Sequence, residues 1–387
     1  MKNTLKITAA LMLSTTAATA GGIDRGGNNY SVLFEDGDYI ALSFSSVTPD
    51  VSGDYPAALG GGSTDNMSES YTNAGVAMKY EVTDQIAIGL FLNQPFGANA
   101  DYTGGAYTGL GADWESTQTA LILKYQATSN ISVYGGVRSV ESEAQIAIPD
   151  GLIRGGLAAA AAAGNAQAGA LAGGAPAGTL GYTANTDADR QTSYVVGAAY
   201  ERPEIALRVA LTYETGYTHK FAATEAVPAV PTVSGTTDFE IEMPQSVTLD
   251  FQSGVAADTL VFGSIRWAEW SVWEVRPNGY QALTNDRVTG LDNDVTTFRL
   301  GVGRKLNDDL SVFARVTYED GNGGVASRLS PTDGSTAIGL GGSYTFNSVK
   351  ITGGVEYVML GDATDATSVE FAENSALALG LTVGYQF

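Results

Sequence analysis

The chain has 387 residues, a formal net charge of −22 and no cysteine. The absence of cysteine excludes a disulfide framework. The strong negative charge excludes nucleic acid as a partner, because no basic patch exists to neutralise phosphates. Hydrophobic residues make up 44% of the chain and the mean hydropathy is +0.00, which fits neither a disordered chain nor a bundle of membrane helices. Abundant glycine (48) and tyrosine (19) favour β structure.

The first twenty residues have the order of a secretory signal. Lys2 and Lys6 supply the charged start, an apolar run follows over 7–13, and small residues at 18–20 form a cleavage site. We therefore predict a signal peptide over 1–20. No later stretch is apolar for the ~20 residues that a membrane-spanning helix needs.

Beyond the signal, apolar and polar residues alternate in many segments. Leu207, Val209 and Leu211, for example, are separated by Arg208 and Ala210. Because side chains on a strand alternate between its two faces, each such segment has one apolar and one polar face. The pattern predicts fourteen strands, at 38–51, 70–82, 85–102, 112–127, 131–147, 190–202, 205–222, 237–253, 259–275, 294–305, 310–320, 335–346, 349–360 and 374–387.

The connections between these strands alternate between short and long. Short turns on one side and longer loops on the other, with an even number of strands, indicate a bacterial outer-membrane barrel. The alternative is a β-sandwich, whose inner faces would meet in a dry core. The polar faces suit a wet lumen better, because they carry Lys79, Arg138, Arg208, Asp250, Arg299, Arg315, Lys350 and Glu356. We predict an all-β transmembrane antiparallel β-barrel of about 14 strands.

The last segment, "LALGLTVGYQF" at 377–387, keeps the alternation up to Phe387. A last strand that pairs with the first would remove both edges of the sheet, so we expect the barrel to close there. The terminal aromatic residue also resembles the assembly signal of outer-membrane barrels. That resemblance implies the barrel assembly machinery as a partner.

The sequence shows no enzyme motif: it has no glycine-rich phosphate loop, zinc spacing or Gly-x-Ser-x-Gly elbow. A hydrolase would need the single histidine, His219, as a general base, but a lone histidine is more often an interfacial polar residue. Acidic turns such as "DNDV" at 292–295 lack the full spacing of a calcium loop. We predict no catalytic residue, no cofactor and no metal site.

Two outer loops carry apolar side chains that would be exposed without a partner. The alanine-rich loop 148–189, with a short helix expected near 157–163, and the loop 223–236 both lie on the long-loop side. They form either an apolar groove that binds a ligand or a lid whose loops pack on each other without a ligand. The residues concerned are Leu152, Ile153, Leu157, Val227 and Val230.

The segment "NQPFG" interrupts the third predicted strand. Pro95 cannot donate a ladder hydrogen bond and Gly97 permits a kink, so the wall could open sideways at Asn93, Pro95, Phe96 and Gly97. The alternative is that the strand ends at Asn93 and the motif is a loop. The spacing alone favours this alternative.

A carboxylate ligand in an apolar pocket would need a fixed cation. By alternation five arginines face the lumen: Arg138, Arg208, Arg266, Arg299 and Arg315. Lumen acids can pair with them: Glu81, Glu214, Asp250, Glu319 and Glu356. We expect most arginines to be paired and Arg138 and Arg299 to be free for the ligand, because neither has an inward acid two residues away on its own strand.

Three stretches, in order along the chain, resemble the FadL/OmpP1/TodX family of outer-membrane transporters for long-chain fatty acids and other hydrophobic compounds. They are "ALSFSSVTPDVSG" at 41–53, "NQPFG" followed by "DWESTQTALILKY" at 113–125, and "MPQSVTLDFQSGVAADTLVFGSIRWAEWS" at 243–271. The resemblance implies a fourteen-stranded barrel over 37–387 with a short N-terminal hatch at 21–36. It also implies a ligand groove between the two outer loops and a lateral exit at the "NQPFG" kink.

Together these features predict passive uptake of long-chain fatty acids or hydrocarbons across the outer membrane of a Gram-negative cell. The protein would be a monomer in contact with outer-membrane lipid and lipopolysaccharide, and it would not be an enzyme. One alternative is a general porin for small hydrophilic solutes. The other is a structural barrel or adhesin that works through its acidic loops.

Overall fold

In a computed structural model, which describes residues 23–25 and 30–387, the described residues form a closed barrel of fourteen strands. The predicted signal peptide, 1–20, lies outside the described residues. Four of the strands are interrupted, and both parts of each are given below. The strands are β1 (Tyr39–Asp50), β2 (Tyr71–Thr83), β3 (Ile86–Asn93 and Gly97–Asp101), β4 (Gly111–Gln126), β5 (Ile131–Ile148), β6 (Tyr182–Thr186 and Asp189–Arg202), β7 (Leu207–Glu214 and Tyr217–Ala226), β8 (Gly235–Met243 and Ser246–Ala256), β9 (Thr259–Ala268), β10 (Val295–Lys305), β11 (Leu310–Glu319), β12 (Ser335–Phe346), β13 (Val349–Leu360) and β14 (Ser375–Gln386).

The remaining elements lie in the loops and in the N-terminal segment. The helices are α1 (Asp150–Ala162), α2 (Ala166–Gly174) and α3 (Asn278–Thr284), and none in the described chain is long and apolar enough to cross a membrane. Short 3₁₀ helices span Tyr30–Phe34, Ala57–Leu59, Gly105–Tyr107, Pro203–Ile205, Pro231–Val233 and Trp270–Val272. Short strands outside the barrel wall are Glu274–Val275, Thr289–Gly290, Val325–Ala326, Ala363–Asp365 and Glu370–Phe371.

Every barrel strand pairs antiparallel with its neighbour, and β14 returns to β1. The closing register runs from Tyr39 opposite Gln386 to Asp50 opposite Ser375. This pairing leaves neither the first nor the last strand with a free edge, as a barrel in lipid requires. The predicted fourteen-stranded closed barrel is confirmed.

The two faces of the wall follow the alternation in the sequence. Leu211 and Val316 face outward with about half of their surface exposed (52% and 48%), whereas Arg315 and Glu356 are buried in the lumen. A charged side chain on the lipid face at the bilayer midplane would cost about 2–4 kcal/mol, so the register is firmly specified. The lumen assignment of these charged residues is confirmed.

The helix in the long loop begins earlier than the sequence indicated. Pro149 cannot continue the β5 ladder and instead precedes the first turn of α1, so the helix starts at Asp150 rather than near 157. Gly164, with φ of 102°, ends that helix in the left-handed conformation. Asn165 then caps α2 by accepting a hydrogen bond from the backbone N–H of Ala168.

The N-terminal segment enters the barrel. The hydroxyl of Tyr30 donates to Glu214 at 2.6 Å, and Lys124 Nζ donates to the carbonyl of Leu33 at 3.0 Å. The ring of Phe34 lies beneath two cations, Lys124 at 4.4 Å and Arg208 at 4.7 Å. The described part of the predicted hatch, 21–36, therefore packs against the inner wall of the lumen.

Candidate functional site

An apolar cavity lies in the outer half of the lumen. Small inward residues of neighbouring strands make room for it, because Ala98 and Ala144 stand on either side of Trp114 in the sheet register. The cavity is lined by Ile23, Ala98, Ala100, Ala112, Asp113, Trp114, Ala144, Gln145, Ile146, Phe239, Ile241, Trp273, Val275, Thr289, Leu291, Leu329 and Ser330.

The charge of this lining distinguishes possible ligands. Asp113 is its one carboxylate, and it accepts a hydrogen bond from Asn99 Nδ2 at 2.9 Å. No lysine, arginine or histidine is among these lining residues. Apolar pockets with a few polar groups bind uncharged organic molecules well, but an isolated carboxylate is costly to bury. The cavity therefore suits an uncharged apolar compound.

A series of aromatic rings connects the cavity to the interruption of β3. Successive ring centroids lie 6.0 Å apart between Phe96 and Trp270, 6.2 Å between Trp270 and Trp273, and 6.4 Å between Trp273 and Trp114. The sequence analysis missed this cluster. Its signal was the stretch "RWAEWSVWE", which holds three of the four tryptophans of the chain.

The interruption of β3 is a bulge against β4. Asn93 lies opposite Gln118 and Gly97 opposite Glu115, so three residues of β3 face two of β4. Ser116 provides hydrogen bonds for the backbone of Phe96, which lies outside the ladder. Its hydroxyl accepts from the N–H of Phe96 at 2.9 Å and donates to the carbonyl of Phe96 at 2.6 Å.

The strand thus ends at Asn93, as the spacing indicated, and resumes at Gly97, as the resemblance implied. Pro95 and Phe96 lie between the two parts and are both buried. The use of this kink as a lateral gate stays a prediction.

A second cavity adjoins the first. The two share Ala98, Leu329 and Ser330, and the second is also lined by Asp24 and Arg25 of the N-terminal segment. An ion pair of 2.7 Å between Asp24 and Arg266 of β9 holds that segment against the wall. The second cavity lies on the side of the first that is nearest to β1 and β2.

The expectation that Arg138 is free is wrong. Its guanidinium is buried and lies 3.2 Å from Glu214 of β7, and its Nε donates to Ser193 at 2.9 Å. The acid comes from another strand, so a search along one strand could not find it. Arg138 does not line the apolar cavity.

Arg299 is held more loosely. Its Nε lies 3.4 Å from the hydroxyl of Thr317, and it forms no ion pair with any residue that the structure describes. It also does not line the apolar cavity. Its role in ligand binding stays a prediction.

The apolar residues of the two outer loops pack together. Ile153, Leu157 and Val227 are buried, and Leu152 and Val230 are partly buried against the same cluster. None of the five lines the apolar cavity. Their packing corresponds to the lid alternative, and their part in ligand binding stays a prediction.

A separate contact between outer loops centres on Asp365, whose side chain is buried. It accepts hydrogen bonds from Tyr107 and from the backbone N–H groups of Thr367 and Val369, and it lies 3.1 Å from Arg328. Burial alone would raise the pKa of Asp365, but these hydrogen bonds outweigh burial and hold its pKa below the usual value. The carboxylate thus joins three outer loops.

His219 lies inside the outer part of the barrel and not at the interface expected for a lone histidine. It is fully buried, stacks on Phe221 at 5.0 Å, and its Nδ1 lies 2.8 Å from Asp189. These contacts give it a packing role. Within the described chain, no group of three or more histidine and acidic side chains is arranged to hold a metal.

Comparison with known proteins agrees with this architecture. The model of the outer membrane protein transport family (OMPP1/FadL/TodX) matches residues 14–387. No curated protein sequence matches the chain.

Three solved structures have a similar fold. A FadL homologue of Pseudomonas aeruginosa has 12% identity and a TM-score of 0.70, with 93% of each chain covered. The toluene transporter TodX of P. putida has 15% identity and a TM-score of 0.68, covering 97% of this chain and 99% of its own. The toluene transporter TbuX of Ralstonia pickettii has 14% identity and a TM-score of 0.60, covering 98% and 100%.

Proposed function

The chain belongs to the FadL/OmpP1/TodX family of outer-membrane transporters for hydrophobic compounds, and from this premise we propose that it takes up uncharged hydrophobic molecules. The apolar cavity carries this proposal, because its described lining has aromatic rings and no cation. A toluene-like compound could lie against these rings without burying a charge. Two structural neighbours are named toluene transporters, and compounds of that class fit this lining.

We further propose that the ligand leaves sideways at the β3 interruption. The ring series from Trp114 to Phe96 supports this route, because it offers apolar contacts from the cavity to the wall. Transport would be passive, by a monomer that the barrel assembly machinery inserts among outer-membrane lipid and lipopolysaccharide.

Uptake of radiolabelled toluene and of radiolabelled laurate by cells that carry or lack the protein tests the proposed substrate class. Toluene uptake should depend on the protein, whereas laurate, which is ionised at neutral pH, should gain little. Protein-dependent uptake of laurate with no effect on toluene would contradict the proposal and favour a carboxylate ligand.

A cavity-filling variant tests the place of binding. Ala98→Phe should abolish most toluene uptake, because Ala98 lines the cavity beside Trp114. The control is Ala158→Phe on the exposed face of α1, which should leave uptake unchanged. Heat-modifiable electrophoretic mobility would show that both variants form barrels. Unchanged uptake by folded Ala98→Phe would exclude this cavity from the route.

A further inference from the structure

The loop between β9 and β10 folds into a hairpin that forms one side of the apolar cavity. Its two arms pair as the short strands Glu274–Val275 and Thr289–Gly290, and α3 lies at its tip. We call residues 273–291 the loop hairpin. Four residues of its arms line the cavity: Trp273, Val275, Thr289 and Leu291.

The sides of the cavity that belong to the wall are fixed by ladder hydrogen bonds. Ala98 of β3, Ala112 of β4 and Phe239 of β8 line the cavity, and each lies in a strand that pairs with its neighbour. Loop segments lack such ladders and open more easily than paired strands. A wider opening of the cavity toward the outside therefore requires movement of the loop hairpin, which supplies more of the lining than the loop 321–334 does.

The tip of the loop hairpin is held to the wall by one buried carboxylate. Glu225 of β7 is 1% exposed, and each of its two oxygens accepts one backbone N–H of α3, from Gly279 at 2.9 Å and from Tyr280 at 2.9 Å. Tyr182 of β6 and Thr237 of β8 also donate their hydroxyls to this carboxylate. Glu225 therefore connects three wall strands to the tip.

Hydrogen bonds alone hold this carboxylate, because Glu225 forms no ion pair with any residue that the structure describes. The N–H groups of Gly279 and Tyr280 belong to the first turn of α3, where no helix carbonyl is available to them. When the tip moves away, water can bond both to the carboxylate and to these N–H groups. The contact is therefore reversible, because neither partner is left unsatisfied in the open position.

The docked position of the tip depends on glycine at 279. A Cβ at Gly279 would lie 2.4 Å from the carbonyl oxygen of Val233 and 2.6 Å from Oε2 of Glu225, so a larger residue does not fit there. Beside it, Asn278 Nδ2 donates to the carbonyl of Asp238 of β8 at 2.6 Å. The tip therefore packs closely on the wall and on the loop 223–236.

We propose that the loop hairpin is an entry gate of the apolar cavity and that Glu225 is the positioning residue that holds it closed. When α3 leaves Glu225, the arms that carry Trp273 and Thr289 move with it, because they are joined directly to the tip. An uncharged hydrophobic ligand then enters the cavity from the outer mouth of the barrel. This inference rests on the proposed function and concerns the entry of the ligand.

A disulfide across the closed gate tests the proposal. The side-chain oxygens of Thr289 on the loop hairpin and Ser327 of the loop 321–334 lie 2.7 Å apart, so cysteines at these positions can form a disulfide. The chain has no cysteine of its own, so Thr289→Cys/Ser327→Cys forms one defined bond. Cells that carry the oxidised variant should lose most toluene uptake, and reduction of the same cells should restore it.

The control is a disulfide away from the loop hairpin. The side-chain oxygens of Ser343 on β12 and Thr352 on β13 lie 2.9 Å apart, so Ser343→Cys/Thr352→Cys should form a similar bond. Its oxidation should leave uptake unchanged. Equal uptake by oxidised and reduced Thr289→Cys/Ser327→Cys would overturn the gate, while wild-type uptake would still support the proposed function. Absence of wild-type uptake would overturn both.

A separate variant tests Glu225 itself. In Glu225→Gln an amide NH2 replaces one of the two acceptor oxygens, so one backbone N–H of α3 loses its acceptor. The gate should open more often, and the initial rate of toluene uptake should rise about tenfold, the effect of one lost hydrogen bond to a carboxylate. The control is Glu240→Gln on the exposed side of β8, which should leave the rate unchanged. An unchanged or lower rate for Glu225→Gln, with normal barrel assembly, would show that Glu225 does not hold the gate.

A glycine variant tests the docked position without altering the carboxylate. Gly279→Ala should keep the tip from docking and raise the uptake rate in the same direction as Glu225→Gln. The matched control is Gly156→Ala in α1, where a Cβ would meet nothing within 4 Å, and its uptake should equal that of the wild type. Wild-type uptake by folded Gly279→Ala would contradict the gate.

Discussion

The arginine residues in the lumen differ in their ion-pair and hydrogen-bond partners, and we expect their contributions to stability to differ accordingly. Arg138 pairs with buried Glu214, which also accepts hydrogen bonds from Tyr30 and Ser246. Arg299 has no ion-pair partner among described residues. Arg138 is therefore part of a network that joins β5, β7, β8 and the N-terminal segment, whereas the hydrogen bond described for Arg299 is to the hydroxyl of Thr317.

Stability measurements should separate these two arginines. Arg138→Ala leaves Glu214 buried without its cation, so the free energy of unfolding should fall by about 3–5 kcal/mol. Arg299→Ala should cost clearly less, because no ion pair is broken. Urea unfolding in lipid vesicles, followed by tryptophan fluorescence, measures both. Equal losses would contradict the distinction.

The ligand role predicted for Arg299 can be tested on the same variant. Toluene uptake by Arg299→Ala should equal that of the wild type, because Arg299 does not line the apolar cavity. A selective loss of laurate uptake would support the role that its position in the sequence suggested. A loss for both ligands would indicate that Arg299 maintains the barrel interior.

Among the elements, the loops that carry Tyr107, Arg328 and Asp365 meet at a pH-sensitive junction. Because the pKa of Asp365 is lowered in the folded protein, its stabilising effect is present above the ordinary value of ~3.9 and is lost as the pH falls through the lowered value. Acid should therefore loosen the junction between Asp365, Tyr107 and Arg328.

Substitution at that junction should reproduce the effect of acid at neutral pH. Asp365→Asn removes the charge that Arg328 and Tyr107 contact, and a hydrogen bond to a charged group contributes about 1.5–3 kcal/mol. The protection factors of the amides in loop 361–374, which correct the exchange rate for its intrinsic pH dependence, should be lower in this variant and nearly independent of pH. The control is Asp362→Asn, an exposed residue of the same loop. Equal exchange in both variants would exclude Asp365 as the junction.

As a whole molecule, the barrel has buried side chains packed at both levels of the lumen. The 3₁₀ helix Tyr30–Phe34 packs inside the inner half, and the lid covers the outer half. A general porin keeps its lumen open instead. The ion conductance of the intact protein therefore distinguishes a hydrophobic-compound transporter from a general porin.

Planar-bilayer recordings should show no large steady conductance for the wild type. Deletion of residues 21–36 should produce one, because it removes the segment that packs against Glu214 and Lys124 in the lumen. A large steady conductance of the wild type would instead favour the porin alternative. Equal low conductance of both proteins would mean that the lid alone closes the barrel.

The sequence by itself determined the strands and their faces, because both depend on local alternation. Leu211 and Val316 face outward and Arg315 faces inward as the two-residue period requires. The end of β3 at Asn93 was also readable, since proline cannot continue a ladder.

Only the tertiary structure decided which side chains meet across the lumen. Arg138 pairs with Glu214 two strands away, Trp114 of β4 contacts Trp273 from the loop after β9, and Arg25 of the N-terminal segment donates to Asn99 of β3. Local periodicity assigns a side chain to a face, but closure of the barrel sets which faces oppose each other and at what height. The apolar cavity arises from those non-local contacts, and no spacing along one strand encodes it.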